Sequence, residues 1–245
     1  MPPTSREGFL NAVRVALGRA DDVVAPDYLP LKLRPEDQRQ KVVTIEARAR
    51  ARQPQLMERL AGTASRQGWK VRRVTSPEEA VTALTSIARE KGARSAVRSA
   101  HAVFQRLPVE AALRGQGVQV TMAALGPRAS RERLRAAMAQ ADMGVTGVDY
   151  AIAETGSIVL APRQGVSRLV SLLPPVHVAI VEAQQIYETL DDLWALRRLA
   201  FLEGHGDMGS YQSLISGPSR TADLEQTLVV GVHGPLEAHM VILEG

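Results

Sequence analysis

The stretch Trp69-Lys-Val-Arg-Arg-Val-Thr-Ser-Pro-Glu-Glu79 joins a strand to a helix, and that junction sets the fold class. Val71 and Val74 mark a strand at 69–74. Ser76-Pro77-Glu78-Glu79 reads as a helix start, with proline where no N–H is needed and acids facing the positive helix end. The helix runs to Lys91-Gly92, and a strand follows at 94–98. Working downstream, a helix near 105–114, a strand at 117–122, a helix at 130–140 and a strand from Asp142 to Thr146 continue the alternation. Upstream, one long helix is expected over 40–67, stopping at Gly68. Strands alternating with helices predict an α/β fold, a mostly parallel sheet flanked by helices.

The second half reads differently. Ile152, Ile158-Val-Leu160, Val176 to Val181, Leu228 to Val230 and Met240 to Leu243 are strands, with little helix between the first three. A partly antiparallel C-terminal portion follows from that. Ile186 to Leu202 is the exception, where Ile186, Leu190, Leu193, Trp194 and Phe201 fit a helix packed on the sheet. Residues 1–40 are expected to form an N-terminal helix and an extended arm, with the α/β domain over 41–245. The arm suits an interface role.

Composition narrows the function classes. Hydrophobic residues make up 45% of the 245 and charges 23%, which is ordinary for a globular core. There is no cysteine, so disulfides and thiolate-held zinc or iron–sulfur clusters in this chain are excluded. The net charge is +4, carried almost entirely by arginine. The arginines are scattered among acids without stacking aromatics, which argues against a nucleic-acid surface. The N-terminal residues lack a signal-peptide pattern, and no run approaches a transmembrane length. A cytoplasmic location is expected.

Three stretches carry candidate chemistry. In Gly147-Val-Asp-Tyr-Ala-Ile-Ala-Glu-Thr-Gly-Ser157, a carboxylate at Glu154 sits on a glycine turn between apolar runs. Gly156 permits positive φ and close backbone approach, and Thr155, Gly156 and Ser157 offer donors to an anion. An ordinary hairpin with an exposed acid fits the same pattern. In Ser216-Gly-Pro-Ser-Arg-Thr-Ala-Asp-Leu-Glu225, Ser219 or Thr221 can cap a short helix with Asp223 in its first turn. Arg220 beside it would hold a carboxylate or phosphate. A capped turn pairing Arg220 with Asp223 or Glu225 fits equally. Gly231-Val-His-Gly-Pro235 places His233 on a tight turn, where it is either an acid–base group or a backbone-bonded turn residue. The other histidines have no metal-ligand spacing, and no metal site is expected. GxSxG, GxxxxGKS and GxGxxG motifs are absent.

Those stretches, with Arg168-Leu-Val-Ser-Leu-Leu-Pro174 and His177, occur in an order that resembles the LUD (lactate utilisation) domain family over about residues 65–243. Ser157 stands where many members have threonine. The resemblance implies a fold like that of glucosamine-phosphate deaminases, ribose-phosphate isomerases and CoA transferases. It implies a part in oxidising L-lactate to pyruvate with two iron–sulfur partner proteins, which would hold the clusters. Within the family, the missing cysteines point to the type without cluster motifs. CoA transferases of this fold place a catalytic Glu in a Glu-x-Gly turn, which Glu154-Thr-Gly156 resembles. Glu154 and His233 are therefore the catalytic candidates, and Thr155, Gly156, Ser157, Arg220, Thr221 and Asp223 the ligand contacts. Glu154, Arg220 and His233 are expected to line one cleft at the carboxyl ends of the sheet strands. A stand-alone transferase or isomerase, and a structural adaptor for iron–sulfur proteins, are the alternatives.

Overall fold

The computed structural model describes residues 5–18, 34–124, 130–204, 209, 211–222 and 228–244. They divide into two units, residues 1–37 and 38–245. In the first, helix α1 (Arg6–Ala16) starts at Ser5, whose hydroxyl accepts the Gly8 N–H at 3.1 Å. Phe9, Leu10, Val13 and Leu17 are exposed on it, and it buries no residue. The arm expected from Asp21 to Pro35 falls almost wholly outside the described residues.

The second unit opens with α2 (Pro35–Ala51, which begins in the first unit) and α3 (Gln53–Arg66). The single helix expected over 40–67 is thus two. Pro54 explains the break: it lacks an N–H and its ring excludes the preceding turn, so it sits near the start of a new helix. Then come β1 (Lys70–Val74), α4 (Pro77–Glu90), β2 (Ser95–Arg98), a 3-10 turn (Ala102–Gln105), α5 (Val109–Gly115), β3 (Gln119–Met122), α6 (Arg131–Gln140) and β4 (Met143–Gly147). The Ser76 hydroxyl caps α4 by accepting the Glu79 N–H at 3.2 Å, as its sequence predicts.

The chain continues through β5 (Tyr150–Ile152), β6 (Ser157–Leu160), the short α7 (Leu169–Leu172), β7 (Val176–Glu182) and β8 (Ile186–Tyr187). It closes with α8 (Leu190–Glu203), β9 (Ser213–Ile215), β10 (Arg220–Ala222), β11 (Leu228–Val230) and β12 (Glu237–Leu243). Ile186 lies in a strand rather than in the following helix. The Thr189 capping box fixes where α8 begins. Trp194 on α8 is exposed instead of packed on the sheet.

Six strands form a wholly parallel sheet in the order β1–β12–β7–β4–β2–β3. A second sheet, β8–β5–β6–β9, is mixed, and β10–β11 is an antiparallel hairpin. One face of the large sheet (Val145, Val178, Ile180, Val241, Leu243) packs on Leu84 and Ile87 of α4 and Leu113 of α5. The other face (Ala179, Val181, Met240, Ile242) packs on Leu56 and Leu60 of α3 and on Ile158 of the second sheet. Leu193 of α8 covers the far side of that sheet over Ile152 and Val159. Aliphatic residues on both faces are what a doubly covered parallel sheet requires.

Candidate functional site

The residues singled out from sequence lie around the end of α3 and the amino edge of the large sheet. The β5–β6 turn folds back onto α3. Gly156 has φ 68°, and a Cβ there would stand 2.6 Å from the Ala64 nitrogen. Its absent side chain admits a helix backbone, so the close approach predicted for a ligand is made by the protein itself. The Glu154 N–H donates to Glu188 O at 3.0 Å, and its Oε2 accepts the Leu190 N–H at 3.2 Å. That carboxylate therefore sits on the positive end of α8. Ser157 is buried, with its Oγ 2.7 Å from Ser216 Oγ. Thr155 Oγ1 is buried with no partner among the described residues.

Arg220 does not flank a helix. It begins β10, paired with Val230, and Thr221 faces Val229 in the same hairpin. Backbone pairing to β11 wins over the short helix that Ser219 or Thr221 would have capped. The Arg220 guanidinium donates to Gln67 O, satisfying a carbonyl at the end of α3. Asp223 lies outside the described residues. The His233 N–H donates to Ser219 Oγ at 3.3 Å, and the residue is exposed just ahead of β12. Arg220 and His233 thus stand at the amino ends of β1 and β12. The expected cleft of Glu154, Arg220 and His233 at the carboxyl ends does not form there, because both turns precede their strands.

The carboxyl edge holds a different set. After β2 the chain goes to β3 on one side, while β4 leads to β7 on the other, so the strand order reverses between β2 and β4. Crevices at such reversals are where open α/β sheets bind ligands. Ser99 and His101 follow β2, and Asp149 follows β4. Ser99 Oγ lies 2.6 Å from His101 Nδ1. His101 Nε2 is 3.7 Å from Asp149 Oδ2 and, though buried, has no hydrogen-bond partner among the described residues. Gly147 makes room for this imidazole, since a Cβ would stand 2.6 Å from His101 Cβ.

Asp149 ties the two ends of the β5–β6 hairpin together. Its carboxylate accepts the Ala161 N–H at 2.6 Å and Arg163 Nη1 at 2.7 Å. Burial pushes this carboxyl up, but neighbouring His101, the Ala161 N–H and the Arg163 charge outweigh it, leaving it below the usual carboxylate range. Arg163 also bonds Ala161 O at 3.0 Å through the same Nη1, which leaves Nε and Nη2 uncommitted among the described residues. Two cavities of about 420 Å³ each flank it, one bounded by Asp149, Tyr150 and Arg197, the other by α6. The loop between them is pinned by the Ala100 N–H, which donates to Gly165 O at 2.8 Å. Farther along the edge, Glu182 pairs with Arg106, and Gln185 Nε2 donates to Val148 O at 2.7 Å.

Among the described residues, no three His, Asp or Glu side chains converge as metal ligands. Sequence reading passed over His101, Asp149 and Arg163. Asp149 and Arg163 sit in visible turns, yet their convergence on His101 depends on strand order.

The LUD domain family model matches residues 57–243. The chain belongs to the LUD domain family. A lactate utilization protein C of Halalkalibacterium halodurans is 30% identical over 98% of this chain and 97% of that protein. One from Bacillus pumilus is 32% identical over 98% and 96%. A solved DUF162 family protein of Deinococcus radiodurans superposes with a TM-score of 0.51 at 22% identity, over 78% of this chain and 98% of that one. That likeness extends to the fold. Within this LUD domain, the α/β layout expected from sequence is the one observed. Among the described residues no helix is long and apolar enough to cross a membrane.

Proposed function

We propose that this chain is the non-redox subunit of a cytoplasmic system that oxidises L-lactate to pyruvate. In this reading, two iron–sulfur proteins carry the electrons, and this chain holds a small carboxylate at the carboxyl-edge crevice. The names of the full-length relatives support the pathway. A chain without cysteine supplies no thiolates for clusters, which supports placing the clusters in partners.

One observation carries the ligand assignment: His101 Nε2, buried and without a hydrogen-bond partner among the described residues, and Arg163, whose Nε and Nη2 are uncommitted among them, both approach Asp149. Arg163 Nε and Nη2 form the planar fork that matches a carboxylate. An imidazole nitrogen nearby accepts from, or donates to, an oxygen on the adjacent carbon. A 2-hydroxy or 2-oxo acid offers both groups. In this reading Glu154, Gly156, Ser157, Arg220 and Thr221 hold the scaffold together, because their polar groups or backbones are spent on α3, α8, Ser216 and β11.

Calorimetric titration with L-lactate and with pyruvate tests the site. Arg163→Lys is expected to weaken binding by roughly 1–3 kcal/mol, while Glu154→Gln leaves it unchanged. Equal losses in both variants would refute the assignment. For the pathway, deletion of the gene is expected to abolish growth on L-lactate and spare growth on pyruvate. Unimpaired growth on L-lactate, with no second copy present, would overturn it.

A further inference from the structure

We propose that the cavity under α6, which shares Arg163 with the neighbouring cavity, is a further binding site, for an anionic ligand with a flat, aromatic body. It does not rest on the lactate reading. Its floor is apolar: Leu134 and Met138 from α6, Ala123 after β3, and Leu169 from α7. Met138 is buried at 3% exposure, so the floor is continuous with the core beneath. The cavity of about 420 Å³ falls within the range of small-molecule sites, about 300–1,000 Å³.

The rim is cationic. Arg131 and Arg135 border it from α6, and Arg163 from the facing loop. Arg131 and Arg135 are four residues apart, on one side of the helix, and have no acidic partner among the described residues. Arg131 also lies in the first turn of α6, where the helix dipole disfavours cations. Two like charges on one face, one of them at the positive end of the helix and neither in an ion pair among the described residues, oppose local stability. A bound anion reverses the sign of both interactions. The guanidinium planes also stack on aromatic rings, and a thioether floor adapts to a flat ring system. An apolar well with an arginine rim therefore selects an aromatic carboxylate, sulfonate or phosphate over a neutral ring or a bare anion.

Fluorescence titration of the full chain with 8-anilinonaphthalene-1-sulfonate tests this. One saturable site is expected. Arg131→Ala/Arg135→Ala should weaken it at least tenfold, and Arg133→Ala, on the same helix but outside the cavity, less than twofold. Leu134→Trp, which fills the well from a half-buried position, should abolish the site with the melting temperature retained. Absence of saturable binding, equal weakening by Arg133→Ala, or undiminished binding in the double variant would overturn the proposal. Should Leu134→Trp fail to fold, the double variant decides alone, because both arginines are exposed.

Discussion

His177 is a buried histidine whose environment predicts how stability depends on pH. Its Nε2 lies 2.9 Å from Thr146 Oγ1, its ring 5.9 Å from that of Trp69, and its Nδ1 has no partner among the described residues. Burial lowers its pKa from the ordinary 6.5 to about 3, and nearby His239 adds to the effect. The unfolded chain therefore takes up a proton as pH falls through 6.5, while the folded chain resists until about 3. Stability is complete above 6.5 and declines below it, by up to about 1.4 kcal/mol per pH unit for one such group. His239, also lowered by burial against the pull of Glu237, adds in the same direction. Urea unfolding between pH 6.5 and 5 should show this slope. His177→Gln, which keeps a partner for Thr146, should remove about one proton's share of it. An unchanged slope would show that the imidazole protonates freely in the folded state.

At the scale of elements, the β5–β6 hairpin is where sequence and structure agree on form and differ on purpose. The Glu-Thr-Gly turn was legible as a turn with positive φ, because only glycine adopts that conformation without strain. What the glycine approaches was not legible, since Ala64 is distant in sequence and either a ligand or a helix satisfies the same local pattern. Gly156→Ala combines a positive φ of 68° with a Cβ 2.6 Å from the Ala64 nitrogen. Neither α3 nor the turn can move away cheaply, so the substitution should cost roughly 2–4 kcal/mol. A melting-temperature change of less than a degree would mean that the turn and helix stand farther apart than described. The capping signal at Ser76 placed its helix start correctly, whereas the capping box at Thr189 went unread and the helix was expected to begin at Ile186. The residues Ile186 and Trp194 misled because their helical spacing is shared with a strand–turn–helix segment, and periodicity alone cannot separate the two.

At the scale of the molecule, the α/β class was readable because each strand and helix carries its own pattern, whereas the order of strands depends on pairings between distant segments. The crevice that joins His101, Asp149 and Arg163 exists only because β2 and β4 lie side by side with their chains leaving in opposite directions. No local pattern encodes that neighbourhood. The same is true of β12, the last strand in sequence, which lies inside the sheet between β1 and β7. Met240, Val241 and Ile242 are fully buried there, and β12 makes backbone ladders on both sides. Removing residues 237–245 would leave β1 unpaired and β7 with an open edge in the middle of the core. The lost burial of those three side chains alone is about 5–9 kcal/mol, comparable to the whole stability of a domain. The truncated chain should therefore lose near-ultraviolet circular dichroism and cooperative unfolding, and not merely melt earlier. A cooperative transition surviving the truncation would mean that β1 and β7 can close onto each other, and that the sheet order does not depend on its final strand.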